Sequence, residues 1–268
     1  MAGRRTIFIT GGGSGIGRAI ALRFAREGWF VGLGDVNEAG MQETAVLLTS
    51  SFTYSHAFDV RDRAGWDTAL RNFATAAGGR IDVLANNAGV PLAGTLAELS
   101  TEEIDRTLDI NLRGAIYGAQ AAWPWLKQAA PGSCLLNTAS AAAFYGMPNQ
   151  SIYAATKAGL RSLTETLDGE WAEDGIRVCS LMPSFIDTPL LSAQPNARRN
   201  VTIREVVVQA GLEFTPVEDV AEAAWQAVHG SKTHYAVGKT ARKMRFAARW
   251  MPGKLRERAK KLAEAAKE

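Results

Sequence analysis

Arg5-Thr6-Ile7-Phe8-Ile9-Thr10 runs without interruption into Gly11-Gly12-Gly13-Ser14-Gly15-Ile16-Gly17, and from there into a helical pattern, Arg18 to Gly28, with packing positions at Ala19, Ile20, Leu22 and Phe24. A strand that is apolar along its length is covered on both faces, and a strand answered by a helix returns parallel to itself. The same alternation continues. A second strand, Phe30 to Gly34, ends at Asp35; a helix spans Glu38 to Thr49, a strand leads into Asp59-Val60, a helix spans Arg63 to Ala77, and Ile81 to Ala85 is a strand. A long helical segment from Thr101 to Ala130 contains Asn111. The apolar run from Cys134, a helix carrying Tyr153 to about Glu173, and the strand Ile176 to Leu181 follow. The pattern predicts an α/β fold, one doubly wound parallel sheet with helices on both faces.

A chain of 268 residues with 47% hydrophobic side chains can bury one large core, and no low-complexity linker divides it. The two cysteines, Cys134 and Cys179, sit in apolar strand-like runs and read as small buried hydrophobes in a reducing cytoplasm. The Met-Ala-Gly-Arg-Arg start leads into a strand rather than a signal-peptide core, and no apolar run reaches membrane-spanning length. His56, His229 and His234 are scattered without ligand spacing, so no metal is expected.

Two stretches carry chemistry. A glycine-rich turn between a strand and a helix allows close backbone approach and presents free N–H groups to a phosphate. Asp35, at the end of the second strand, stands where an acid accepts hydrogen bonds from ribose hydroxyls and repels a 2′-phosphate. Ser14, Val36 and Asn37 supply no compensating cation, so NAD is favoured over NADP. Tyr153 and Lys157 leave one face of their helix, where an ammonium would favour the phenolate and lower the tyrosine pKa. Ser140, at the end of the Cys134 run, would polarise a substrate oxygen. Such a set exchanges a proton with an alcohol or ketone.

With those motifs read, the sequence resembles the short-chain dehydrogenase/reductase family from Thr6 to about Val237. The resemblance implies a Rossmann-type fold and a catalytic set of Asn111, Ser140, Tyr153 and Lys157. Asn111 is expected to hold a backbone geometry and a water leading from Lys157 to solvent. Gly11, Ser14, Gly15, Ile16 and Gly17 look like the cofactor turn, Asp59 and Val60 like the adenine-contacting pair, and Asn86-Asn87-Ala88-Gly89 like the sheet-stabilising and ribose-contacting segment. Tyr153 and Lys157 also face the nicotinamide ribose, with Thr188 on the carboxamide. The usual Pro-Gly is here Pro183-Ser184. Implied too are an NAD-dependent oxidoreductase acting on a small-molecule secondary alcohol or ketone, and a homodimer or homotetramer formed through the helices of Asn111 and Tyr153.

Residues 184 to 215 read as a substrate-covering lid with apolar Phe185, Ile186, Leu190, Leu191 and Val206 to Val208; with Phe144, Met147 and Met182 they suggest a lipophilic substrate. A helix from Pro216 to Val228 and a strand at Tyr235 to Val237 close the catalytic domain, residues 1–238. A basic helical tail, residues 239–268, follows. It holds eleven Lys/Arg against three Glu, a net of +8, in a chain whose total is +3. Arg242 to Met251 forms a helix with Phe246, Trp250 and Met251 near one face, stopped by Pro252-Gly253, and Lys254 to Lys267 forms another. The plainest reading packs Phe246 and Trp250 on the domain or a neighbour; an oligomerisation arm and contact with an anionic membrane surface compete with it, and nucleic acid is not expected. The whole chain has two other readings: a non-catalytic NAD-binding scaffold, and an NADPH-dependent 3-oxoacyl-type reductase.

Overall fold

The computed structural model describes residues 3–48, 52–192, 194, 196, 202–209 and 211–265. Seven parallel strands form one sheet in the order β3-β2-β1-β4-β5-β6-β7. They are β1 (Thr6–Thr10), β2 (Phe30–Asp35), β3 (Thr53–Ala57), β4 (Val83–Asn86), β5 (Ser133–Thr138), β6 (Ile176–Pro183) and β7 (His234–Val237). The helices are α1 (Gly15–Arg26), α2 (Glu38–Leu48), α3 (Arg63–Ala76), α4 (Thr101–Leu108), α5 (Gly114–Ala129), α6 (Ser151–Glu170), α7 (Ile203–Gln209), α8 (Val217–His229), α9 (Lys239–Trp250) and α10 (Pro252–Ala265).

Alternation along the strands sorts the core into two layers. Ile7 and Ile9 of β1, Val83 and Ala85 of β4 and Leu136 of β5 point to one face, against Ile20 and Phe24 of α1 and Val220 and Ala224 of α8. Phe8, Leu84 and Leu135, one residue out of step, point to the other, against Trp66, Leu70 and Phe73 of α3 and Leu126 of α5. A one-residue shift of register would exchange the two layers. Each of the larger side chains, fully buried, contributes roughly 1.5–3 kcal/mol. Cys134 and Cys179 are buried free thiols, their sulfurs 3.5 Å apart.

Strand order reverses between β1 and β4, and ligands of open parallel sheets bind beyond the strand ends at such a switch point. The glycine turn after β1, the Asn87 segment after β4, Ser140 after β5 and Pro183 at the end of β6 all lie at that edge.

Three local features depart from the sequence reading. The helical segment predicted for Thr101 to Ala130 is broken by a π-helical turn, Asp109–Arg113, which holds Asn111. Pro252-Gly253 separates α9 from α10 but also opens α10, since proline at a first helical position gives up an N–H that has no partner there. The lid segment comprises a 3-10 turn (Pro189–Ser192), α7 and connections; residues 193, 195, 197–201 and 210 of it, like the expected helix ends at Thr49 and Lys267, lie outside the described residues.

Candidate active site

α6 brings Tyr153 and Lys157 beneath the end of β5. Lys157 is buried, its Nζ donating to the Thr138 carbonyl at 2.9 Å, and burial lowers its pKa to about 8. Tyr153 is half-buried, and the Lys157 Nζ is 5.8 Å from the centre of its ring. Burial raises the Tyr153 pKa and the Ser140 hydrogen bond opposes it. This differs from the expectation that Lys157 lowers the tyrosine pKa. The ammonium donates to the Thr138 carbonyl, and for both groups the leading effect is desolvation, which favours the neutral forms. Ser140 Oγ accepts from the backbone N–H of Ala142, in the 3-10 turn Ala141–Ala143, which anchors the hydroxyl just beyond β5.

Asn111 clamps the segment after β4. Its Oδ1 accepts from Val90 N at 2.8 Å while its Nδ2 donates to Val90 O at 2.9 Å. The π-helical turn aims the amide at that backbone; extra turns of this kind recur at functional sites. A methyl group added at Gly89 would lie 3.2 Å from Asn111 Oδ1 and 3.5 Å from Lys157 Nζ, so these three residues share one floor.

The other end of the crevice is a backbone cradle. Gly11 and Gly15 have φ of +69° and +51°, and a Cβ on Gly17 would stand 2.1 Å from the Gly11 carbonyl oxygen. Ser14 precedes α1 without a side-chain cap, and no acid occupies the first turn, so the helix N–H groups there are open to an anion. Ile16, in the first turn of α1, is partly buried and packs against the core. Asp35 accepts from Gly13 N at 2.9 Å and from Asn37 N at 3.0 Å, which ties the acid to the turn. Arg18 donates to the Gly13 carbonyl and pairs with Glu43, so its charge is answered within the fold.

Asp59 is held by the Arg61 guanidinium, which lowers its pKa. Val60, Thr10, Ala88 and Ile110 border one small crevice. Thr10 Oγ1 accepts from both Asn87 N and Ala88 N, and the Asn87 amide donates back to Thr10 O. Thr188 hangs over the turn, its Cβ 3.3 Å from where a Gly15 Cβ would be. Pro183 ends β6, and Ser184 N donates to Val237 O, so the Pro-Ser pair keeps the chain in the sheet.

The family model described as short chain dehydrogenase matches residues 5–199. The chain belongs to that family. It is 32% identical over 222 residues to a 3-oxoacyl-[acyl-carrier-protein] reductase of Thermotoga maritima, covering 81% of this chain and 87% of that one. Its structure is similar to 3-ketoacyl-(acyl-carrier-protein) reductase from Brucella melitensis complexed with NADH, with a TM-score of 0.73 at 31% identity over 83% of this chain and 89% of that one. It is also similar to a short chain dehydrogenase/reductase from Burkholderia phymatum in complex with NAD, with a TM-score of 0.82 at 25% identity over 95% of each chain. This short-chain dehydrogenase is therefore an oxidoreductase for CH–OH groups, of a family that binds nicotinamide cofactors, takes small-molecule substrates and is typically oligomeric. The Gly17 cradle and the uncapped α1 terminus fit a dinucleotide pyrophosphate.

Sequence reasoning missed the residues that position the named ones. Thr10 organises Asn87 and Ala88, and Thr138 holds Lys157 through its carbonyl and Asn87 through its hydroxyl, which donates at 3.2 Å. A threonine closing both β1 and β5 was the available signal.

Proposed function

We propose that this short-chain dehydrogenase uses NAD to interconvert a lipophilic secondary alcohol and its ketone, with Tyr153 as general acid/base. The observation that carries the reading is buried Lys157, held by the Thr138 carbonyl with its Nζ 5.8 Å from the Tyr153 ring centre, at the sheet edge that also bears Ser140 and the glycine cradle. When bound, the nicotinamide supplies or accepts the hydride at the substrate carbon. Ser140 orients and polarises the C–O group. Tyr153, kept protonated by burial, donates its proton to the forming alkoxide; in the other direction the Ser140 hydrogen bond favours the phenolate that must accept it. Lys157 and Asn111 position the ribose side of the floor. Asp35 and the internally paired Arg18 favour NAD, because a 2′-phosphate would meet a carboxylate with no free cation from this turn.

For cofactor contacts we assign Gly11, Ser14, Gly15, Ile16, Gly17, Asp35, Asp59, Val60, Asn87, Ala88, Gly89, Pro183 and Thr188, with Tyr153 and Lys157. Buried Met182, packed with Ala139, Ala143 and Phe144, and buried Leu191 favour an apolar substrate. The segment 184–215 acts as the lid: Thr215 N donates to Phe185 O and Asp187 N to Thr215 O, which pins its two ends together. A homodimer or homotetramer through α5 and α6 and a cytoplasmic site complete the reading; a reducing compartment suits thiols 3.5 Å apart.

One other reading has an observation behind it. Two relatives at about a third identity are 3-oxoacyl or 3-ketoacyl carrier-protein reductases, which favours a 3-oxoacyl thioester as the ketone. Nicotinamide absorbance with NAD and NADP, in both directions, over secondary alcohols, ketones and 3-oxoacyl thioesters, for the native chain and Tyr153→Phe, tests both. NAD-linked turnover lost in the variant is the expected result. Preference for NADP would overturn the reading of Asp35, and tight NAD binding without turnover of any panel member would favour a scaffold.

A further inference from the structure

α9 is fastened by its small side. Ala241 is buried, Met244, Ala247 and Ala248 are half-buried, and the helix packs on β7 and on the 3-10 turn that follows Ser140. At about 100° per residue, Phe246 and Trp250 fall on the opposite side. Their exposures are 60% and 65%, so the rings do not pack on their own domain, which leaves only the neighbour half of the plainest reading; Met251 alone is half-buried. Around the rings stand exposed Lys239, Arg242, Lys243, Arg245 and Arg249, and α9 contains no acid. Among the described residues only Lys239 of these five is in an ion pair, with Glu213 at 3.7 Å. Arg249 lies over the Trp250 ring, 5.2 Å from its centre. α10 extends the field with exposed Lys254, Arg256, Arg258, Lys260 and Lys261 against Glu257 and Glu264.

We propose that the outer face of α9 docks on an anionic lipid bilayer, Phe246 and Trp250 entering the headgroup boundary and the ring of cations meeting the lipid phosphates. An aromatic pair flanked by Lys and Arg on a helix lying flat is the chemistry that an acidic bilayer surface selects. A second copy of the chain is the poorer occupant, because a two-fold contact through this face would set its cations against themselves. Nucleic acid would use the cations but gives an outward Phe–Trp pair no apolar phase to enter. No helix among the described residues is long and apolar enough to cross a membrane, so the contact is with the surface. Because α9 packs on the turn after Ser140, docking brings the catalytic edge close to the lipid.

The full chain is sedimented with phosphatidylcholine vesicles and with vesicles in which a third of the lipid is phosphatidylglycerol. Binding to the anionic vesicles alone, weakened on the order of a hundredfold by Arg242→Glu/Lys243→Glu/Arg249→Glu and at least about tenfold by Phe246→Ala/Trp250→Ala, is expected. A blue shift of tryptophan emission on vesicle addition, lost in Trp250→Phe, reads ring insertion independently of the multiple variants. Equal binding to both vesicle types, or none, overturns the proposal. So does a lower mass in solution for Phe246→Ala/Trp250→Ala without lipid, which would assign the face to a second copy, or retention of duplex DNA by a chain that ignores the anionic vesicles.

Discussion

The two walls of the crevice are built differently. On the side proposed for the cofactor, four polar residues are held by backbone groups: Asp35 by Gly13 N, Asn87 by Thr10, Asn111 by Val90 and Lys157 by Thr138 O. On the side proposed for the substrate, the segment 184–215 is pinned at its base by the Ile186–Thr215 bridge and by the Arg204–Asp187 ion pair, while Leu190, Val206 and Val208 are exposed. A reaction shared by many substrates needs one fixed geometry for the atoms that never change. The surface that meets the variable part of the substrate carries no such requirement. On the proposed assignment, chemistry would be written in hydrogen bonds and selectivity in loosely specified packing.

The largest test of this contrast is Tyr153→Phe. Removing one hydroxyl leaves the fold and the glycine cradle in place but deletes the proposed proton donor, so kcat should fall by about 10²–10⁴ while NADH affinity, to which the phenol adds one ribose contact, falls far less. Stopped-flow or steady-state nicotinamide absorbance, beside a fluorescence titration of NADH, separates the two quantities. A matching loss of NADH affinity would mean that the phenol serves the cradle rather than the reaction.

Next comes the cost stored under the tyrosine. The Lys157 pKa is about 8 in the fold against an ordinary 10.5. Between those values the unfolded chain binds more protons than the folded one, so stability rises with pH across this window and the whole burial cost is present below it. Across the window the gain is on the order of 3 kcal/mol. Lys157→Met removes this term: its urea midpoint should exceed the native one at pH 7, and the advantage should shrink as the pH approaches 10.5. Parallel pH profiles for the two chains would show that the Lys157 charge is solvated after all.

Gly17→Ala probes the cradle itself. The added methyl would lie 2.1 Å from the Gly11 carbonyl oxygen, a backbone atom that cannot rotate away, so the turn must open. Overpacking of this kind costs about 1–3 kcal/mol. Thermal unfolding should show it, together with loss of NAD binding while Tyr153 and its neighbours are untouched. Retained NAD affinity would place the pyrophosphate elsewhere.

The same contrast governs what could be read before the structure was seen. The strands were legible because fully buried runs such as Ile7-Phe8-Ile9 have only one use, and Tyr153, Lys157 and Ser140 because helical spacing and strand ends are local facts. The Asn111 turn was hidden, since one extra residue shifts the helical phase by about 100°, and Ala and Gly on several sides of the following helix leave that shift without a sharp apolar stripe to mark it. The fall of the Lys157 pKa was also hidden, because it depends on burial by residues distant in sequence. Periodicity put Phe246 and Trp250 on one face of α9, yet a period names a face and not its partner. The small buried side, Ala241 with Met244 and Ala248, was the decisive half of that helix.

The smallest expected effect lies on the substrate wall, and it is the most informative about that wall. Leu190 is 41% exposed on the 3-10 turn beside buried Leu191, and Val208 is 60% exposed on α7 beside buried Val207. Replacing either outward residue by serine removes little buried area, so stability should change by no more than about 0.5 kcal/mol. If the outward apolar side chains meet the substrate as the lid closes, Leu190→Ser should raise KM for lipophilic alcohols while leaving kcat and NAD affinity alone, the pattern of lost uniform binding. Leu191→Ala, by contrast, removes a buried packing residue and should lower stability by about 2–5 kcal/mol. Urea midpoints together with KM for a homologous series of alcohols measure both. A Leu190→Ser enzyme whose KM is unchanged along the whole series would confine recognition to the inner residues, Met182 and Phe144, and leave the outer lid as a cover that excludes water without choosing what it covers.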